Sequence, residues 1–328
     1  FQALFIHQLL SPLKHRWYSF LMQNYTGRFA PSPTGPLHFG SLLTAVASYL
    51  DAKHNGGTWL VRMDDLDPPR ETPGAADHIL STLDAYGLHW DGDVAYQSQR
   101  HDQYEAVVQS LLSKKQAFYC TCSRKQLAEH APQQEQQTPQ PYPGTCRKQH
   151  TPPNKPFSIR LAVRGACHPV CINDKLQGPF CQNLISDVGD FVIKRKDLLY
   201  AYHLAAVVDD HWQNISHVVR GIDLLDSTPR QHYLQQLLGY NTPHYAHLPV
   251  VVNDQGQKLS KQTFAKSIET TQCNRILWTA LSTLGLKPPA SLQHESPEAI
   301  LKWGTLLWSP KALINVTRIN SPQITINV

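Results

Sequence analysis

At 328 residues and 41% hydrophobic content, the chain has ample material for one large or two ordinary domains with a buried core. No stretch approaches the ~18 consecutive apolar residues that a bilayer-spanning helix requires, which excludes that architecture. The net charge of +5 is compatible with an RNA partner but is equally ordinary without one, so charge alone decides nothing about nucleic acid.

Residues 1–21 are apolar and aromatic, yet Lys14, His15 and Arg16 interrupt any signal-peptide core and no small-residue cleavage site follows. Residues 1–24 therefore read as an extension, or as an over-long start ahead of Met22, and are set aside from the fold. From Tyr25 onward strands and helices alternate. A strand over 25–30 leads into a helix over 37–54, with Leu42, Leu43, Val46, Tyr49 and Leu50 at helical spacing. A buried strand over 58–63, helices over 75–86 and 103–115, and a short strand over 117–122 follow, with Pro73 just ahead of the second helix. This alternation predicts an α/β fold with a doubly wound parallel sheet of Rossmann type. Ligands should then sit at the carboxyl ends of its strands, where Arg28 and residues 62–67 fall.

Between 123 and 156 the composition turns polar, and the Gln- and Pro-rich stretch 132–143 reads as a surface loop. Strands resume over 157–163 and 190–194, followed by a helix over 202–210, a strand over 217–221, a helix over 229–238 and a strand over 248–253. The expected organisation is a first catalytic half over 25–119, an inserted subdomain over 120–189, a second catalytic half over 190–262 and a mostly helical region over 263–328. In that last region Ile276, Leu277, Ala280 and Leu281 keep helical spacing. Trp212, Trp278, Trp303 and Trp308 stand near apolar neighbours and are expected in the core, not as base-stacking platforms.

Six of the seven cysteines (Cys120, Cys122, Cys146, Cys167, Cys171 and Cys181) gather in one region, and Cys273 stands apart. In a chain this long such clustering reads as reduced thiols with a metal site, in a cytoplasmic setting, and not as a disulfide framework. Cys120, Cys122 and Cys146 supply three thiolates and leave one tetrahedral position for Tyr142, His130, His150 or His168. Cys167 and Cys171, with His168 between them, form a second pair that reads as incidental, though it is the main competitor for a metal.

Two segments carry the chemistry: Arg28-Phe-Ala-Pro-Ser-Pro-Thr-Gly-Pro-Leu-His-Phe-Gly-Ser41 and Lys258-Leu-Ser-Lys261. The first is a strand end, a Pro-rich turn and a helix start, which places backbone N–H groups and the His38 imidazole where a polyphosphate can bind. Gly40 is expected to leave room that a Cβ would take from the adenine or ribose of a nucleotide. The second sets Lys258 and Lys261 on one loop, suited to the charge that develops as a triphosphate is split, with Lys261 the stronger candidate. Arg28 and Arg220 each stand at a strand end and can grip carboxylates in bidentate fashion, while Tyr202 and Ser32 can add hydrogen bonds.

The ordered pair of segments resembles the HIGH-like and KMSKS-like signatures of class I aminoacyl-tRNA synthetases, and the wording PSPTGPLHFG resembles their glutamate branch. The resemblance covers about 25–308. It implies that Arg28, Phe29, Ala30, Pro31, Ser32, Asp64, Tyr202 and Arg220 line a pocket for L-glutamate, with Arg220 on the side-chain carboxylate. Asp64 takes the ammonium position, where the family has a glutamate. His38, Gly40, Ser41, Lys258 and Lys261 are implied to handle ATP, with which Mg²⁺ would travel. The spacing Cys120-x-Cys122…Tyr142-x3-Cys146 is similar to that of the shortened glutamyl-Q tRNA(Asp) synthetases, and implies one structural Zn²⁺ on those four residues. Only 67 residues follow Lys261, so no anticodon-binding domain is expected. The implied activity is formation of glutamyl-adenylate and transfer of glutamate to the queuosine base in the anticodon loop of tRNA(Asp), by a monomer. A truncated glutamyl-tRNA synthetase charging the 3′ end of tRNA(Glu) is one alternative, disfavoured by the missing domain. A non-catalytic tRNA-binding paralogue is another, disfavoured by intact His38, Gly40, Lys258 and Lys261.

Overall fold

The computed structural model describes residues 25–129, 140–164, 169–253, 255–258 and 267–320. The chain starts with β1 (Thr26–Phe29), α1 (Phe39–His54), β2 (Thr58–Met63), α2 (Ala75–Ala85) and β3 (Ala95–Tyr96). Next come α3 (His101–Ser113), β4 (Ala117–Cys120), α4 (Arg124–Glu129), β5 (Ser158–Leu161), β6 (Val170–Asp174), β7 (Gly178–Gln182), α5 (Leu184–Asp187) and β8 (Phe191–Lys194). Then follow α6 (Tyr202–Trp212), β9 (His217–Gly221), α7 (Thr228–Leu238), β10 (His244–Leu248) and β11 (Val250–Val252). The described chain closes with α8 (Cys273–Thr283), α9 (Pro297–Leu307) and β12 (Arg318–Asn320). No described helix is long and apolar enough to cross a membrane.

β1, β2 and β3 pair in parallel, as do β9 and β10. The two groups meet where the Ser216 N–H donates to the Thr26 carbonyl at 3.0 Å and the Thr26 N–H donates to Ser216 Oγ at 2.8 Å. β1 therefore lies against β9, and the strand order reverses between them. That switch point is where a doubly wound sheet opens a crevice for a ligand. The Rossmann-type α/β expectation holds.

Helix α1 is apolar on most of its circumference because it is covered on both sides. Leu42, Leu43, Ala45, Val46, Ala47 and Leu50 are buried, between the parallel sheet and helices α8 and α9. The contact with α9 is close: a Cβ on Gly304 would stand 2.9 Å from a Leu281 methyl and 3.2 Å from one of Leu50. A second apolar cluster joins α3, β4, β5, α6 and α7.

Four expectations need correction. Ala117–Cys120 and Phe191–Lys194, read as members of the βαβ alternation, flank β5 in a separate antiparallel sheet, since apolar runs mark strands but not their partners. The single strand expected over 248–253 is divided at Pro249, which has no N–H to give a ladder. β10 accordingly pairs with β9 and β11 with β12. The hairpin β6–β7 was not expected, and its register sets Cys171 directly opposite Cys181, where they form a disulfide. This removes Cys171 as a thiolate ligand and corrects the all-reduced reading; Cys167 and His168 lie outside the described residues. Finally, Trp212 is 52% exposed with the Arg100 guanidinium 3.6 Å above its ring, whereas Trp308 is buried and Trp278 and Trp303 pack on the core.

Candidate active site

A cleft of about 650 Å³ opens at the switch point. Arg28, Phe29, Ala30, Pro31, Ser32, His38, Ser41, Asp64, Tyr202, Arg220 and Lys258 all line it. Sequence reasoning thus converges on one place for residues up to 230 positions apart. Gly40 stands beside it, and Lys261 lies outside the described residues.

The turn from β1 to α1 is held by its own backbone. Gly35 adopts φ 132°, a region closed to residues with a Cβ, and the Asp64 N–H donates to the Pro31 carbonyl at 2.9 Å, tying the turn to the end of β2. His38 caps α1: its Nδ1 accepts the Ser41 N–H at 3.3 Å, and its Nε2 lies 3.1 Å from Ser41 Oγ. An accepting Nδ1 places the proton of the neutral ring on Nε2, so an N–H donor stands at the positive end of a helix. The neighbour that a Cβ on Gly40 would first crowd is the His38 ring, at 3.2 Å. A glycine at position 40 thus leaves room for the imidazole. At the mouth of the cleft Lys258 Nζ pairs with Asp223 Oδ2 at 2.7 Å.

Behind the Arg28 side of the cleft lies a buried ionic network. Arg28 donates to Asp210 at 3.2 and 3.4 Å, while Arg62 donates to Asp64 and Asp210, each at 2.8 Å. Asp209 accepts from Gln97, Arg100 and Tyr104 at 2.6–2.8 Å. Burial acts to raise the Asp210 carboxyl, but Arg28 and Arg62 outweigh it and hold the group below the usual range. Burial wins at Asp64, whose carboxyl is pushed up to about 6 against the pull of Arg62 and Arg28. Arg220, 4% exposed, differs from the other two arginines. It donates to Tyr202 Oη at 3.1 Å, Thr228 Oγ1 at 2.8 Å, the Leu224 carbonyl at 3.4 Å and His247 Nε2 at 3.0 Å. Among the described residues no carboxylate lies within ion-pair reach of it.

A second constellation forms at the end of β4. The sulfurs of Cys120, Cys122 and Cys146 lie within 4.8 Å of one another. The Tyr142 hydroxyl is 3.4 Å from Cys120 Sγ and 3.8 Å from Cys122 Sγ, and accepts the Cys146 N–H at 2.9 Å. Gly189 lets Tyr142 in: at φ 68° its absent Cβ would stand 2.3 Å from the Tyr142 nitrogen. Burial acts to raise the Cys146 thiol, yet the Thr121 N–H and the Tyr142 hydroxyl bring it down to about 7, while burial pushes Cys122 up to about 11. Of the four fourth-ligand candidates, the structure brings Tyr142 to the thiols; His150 is not among the gathered ligand atoms, and His130 and His168 lie outside the described residues.

Residues 25–285 match the family described as tRNA synthetases class I (E and Q), catalytic domain. The glutamyl-Q tRNA(Asp) synthetase of Ectopseudomonas mendocina is 50% identical over 87% of this chain and 93% of its own length. That of Pseudomonas putida is 47% identical over 90% of this chain and 95% of its own. The chain belongs to the glutamyl-Q tRNA(Asp) synthetases. The glutamate-tRNA synthetase of Elizabethkingia anophelis shares the fold, with a TM-score of 0.74 and 24% identity over 92% of this chain and 68% of that one.

In this synthetase, sequence reasoning placed Arg62 at the ligand end of the sheet without giving it a partner, and missed Asp209, Asp210, Asp223, Asp174 and His247. A signal existed for two of them: Asp209 and Asp210 follow the apolar run Leu204–Val208 on one helix and are buried, and acids so placed need partners. His247 sits within the buried strand β10 and carried no distinguishing neighbour in sequence.

Proposed function

We propose that this chain activates L-glutamate with ATP and passes the glutamyl group to the queuosine base of tRNA(Asp), in the cytoplasm. Arg220 is the observation that carries the amino-acid choice. A buried guanidinium facing the cleft with only neutral partners favours a substrate that brings a carboxylate to it. Glutamine would leave that charge unmet. The tRNA acceptor follows from the two relatives, which are nearly half or half identical along almost the whole chain.

Activation needs no protein nucleophile. The α-carboxylate of glutamate attacks the α-phosphorus of ATP, the bond to the β-phosphate breaks, and pyrophosphate leaves glutamyl-adenylate behind. Asp64, ionised, meets the substrate ammonium, while Tyr202 and Ser32 complete the pocket. The His38 Nε2–H and the positive end of α1 stabilise charge growing on the phosphates, and Lys258, at the mouth of the cleft, stands toward the leaving pyrophosphate; Lys261 would add a second positive charge to the same task. Mg²⁺ arriving with ATP supplies further charge neutralisation. The queuosine base then attacks the glutamyl carbonyl and AMP departs.

Three thiols and a phenol gathered around one point suit a tetrahedral zinc ion, with Cys120, Cys122, Cys146 and Tyr142 as its ligands. Bound there, zinc would supply structure, fastening 140–146 to the end of β4.

Glutamate-dependent ATP–pyrophosphate exchange without tRNA tests the activation step. Exchange with glutamate and none with glutamine is expected; equal exchange with both amino acids would contradict the role given to Arg220.

A further inference from the structure

The neutral partner of Arg220 is itself held from behind. His247 is fully buried on β10, the strand next to the one that carries Arg220. Its Nδ1 lies 2.5 Å from Asp174 Oδ2, and its Nε2 lies 3.0 Å from Arg220 Nε. Asp174 ends strand β6; its Oδ1 accepts the backbone N–H groups of Leu176, Gln177 and His247 at 2.9–3.1 Å. An arginine Nε can only donate, so His247 Nε2 must present a lone pair, and the single ring proton must sit on Nδ1, facing Asp174. The order Asp174–His247–Arg220 thus has one consistent set of protons.

We infer that His247, fixed in its Nδ1–H tautomer by Asp174, is a positioning residue that orients the Arg220 guanidinium for the substrate's side-chain carboxylate without neutralising its charge. A carboxylate in place of His247 would hold the guanidinium equally well but would neutralise it, removing the reason to prefer glutamate over glutamine. The imidazole supplies a directed acceptor with no charge, and the acid that orients it is kept one residue further away. Hydrogen bonds to Tyr202 and Thr228 fix the other end of the same guanidinium plane. The inference rests on the reading of Arg220 as the grip on that carboxylate.

Asp174→Asn is the discriminating variant. An asparagine keeps the shape, and its oxygen can still take the three backbone N–H groups, which turns its NH₂ toward His247 Nδ1. The ring proton is then driven to Nε2, against the Arg220 Nε–H, and the orientation is lost. The expected result is a KM for glutamate raised about tenfold or more, with the KM for ATP unchanged. Nitrogen chemical shifts of His247 should report the change of tautomer, a readout that purely structural damage would not produce. Asp174→Asn combined with His247→Ala should be no worse than His247→Ala alone, because Asp174 acts through His247. An unchanged KM for glutamate, equal rises for glutamate and ATP, or an Nε2–H tautomer already present in the unmutated protein would each overturn the inference. Arg220→Ala, run in parallel, separates the two layers. If it leaves the glutamate KM unchanged, the carboxylate reading fails; if it raises that KM and Asp174→Asn does not, only the relay fails.

Discussion

Arg28 and Arg220 stand on neighbouring strands, are each 4% exposed and line the same cleft, yet among the described residues only Arg28 has its charge met, by Asp210 at 3.2 Å. Two arginines that look equivalent in sequence therefore do different work. Arg28 anchors the buried network, whereas Arg220 faces the cleft with neutral hydrogen-bond partners. Replacing Arg220 with alanine should weaken glutamate binding by about 2–4 kcal/mol, as for a buried charge pair that loses one partner. Calorimetric titration with glutamate checks this, and an unaltered affinity would send the side-chain carboxylate elsewhere in the cleft.

With Asp64 at the proposed ammonium site, glutamate binding should depend on pH. Burial raises its carboxyl to about 6, and only the ionised form attracts an ammonium. Affinity for glutamate should therefore fall as the pH drops through about 6, well above the ~4.3 at which the substrate's own side chain takes up a proton. For stability the sign is opposite. The folded value lies above the unfolded one, so the stabilising contribution of this group is fully present below about 4 and is lost as pH rises through about 6. Asp64→Asn should weaken binding and flatten the profile. A glutamate KM independent of pH between about 5 and 8 in the unmutated enzyme would remove Asp64 from the ammonium site.

The lysine loop should act on turnover more than on the amino acid. Lys261→Ala should abolish exchange or lower it by on the order of a hundredfold or more while the fold stays intact, as when a group aimed at developing charge is removed. Lys258, tethered to Asp223 at 2.7 Å at the mouth, should matter less. Exchange rates beside melting curves decide it, and an unchanged rate for Lys261→Ala would take that lysine out of the mechanism.

Metal analysis of the purified chain should find about one zinc per molecule, and Cys122→Ser should release it and lower the melting temperature. Tyr142→Phe, which keeps the ring under the Arg160 guanidinium but removes the hydroxyl, should weaken retention of the metal. A protein without bound metal would refute the site.

Much of this was legible in the sequence, for physical reasons. Strand β9 could be bounded because Gly221 closes a short stretch built on the β-branched pair Val218 and Val219, and α1 because its apolar positions recur at helical spacing after a Pro-rich turn. The residues proposed for glutamate and phosphate were readable because their order and wording are distinctive, and those that are described, Gly40 aside, line one cleft. Partnership was not readable. Nothing in Phe191–Lys194 declares an antiparallel neighbour, and nothing in Cys171 or Cys181 declares that a hairpin will set them opposite each other. The same limit hid Asp174 and His247, whose significance lies in a contact across 73 positions of sequence. Gly40 shows the limit at a single atom: the need for glycine was visible, but the closeness of the His38 ring was not.

The most direct test of the central claim is transfer of labelled glutamate to purified tRNA(Asp), with and without queuosine, beside tRNA(Glu). Label confined to queuosine-containing tRNA(Asp), and retained after removal of the 3′ adenosine, is the predicted result. Label on the 3′ end of tRNA(Glu) would contradict it and make this chain an ordinary charging enzyme.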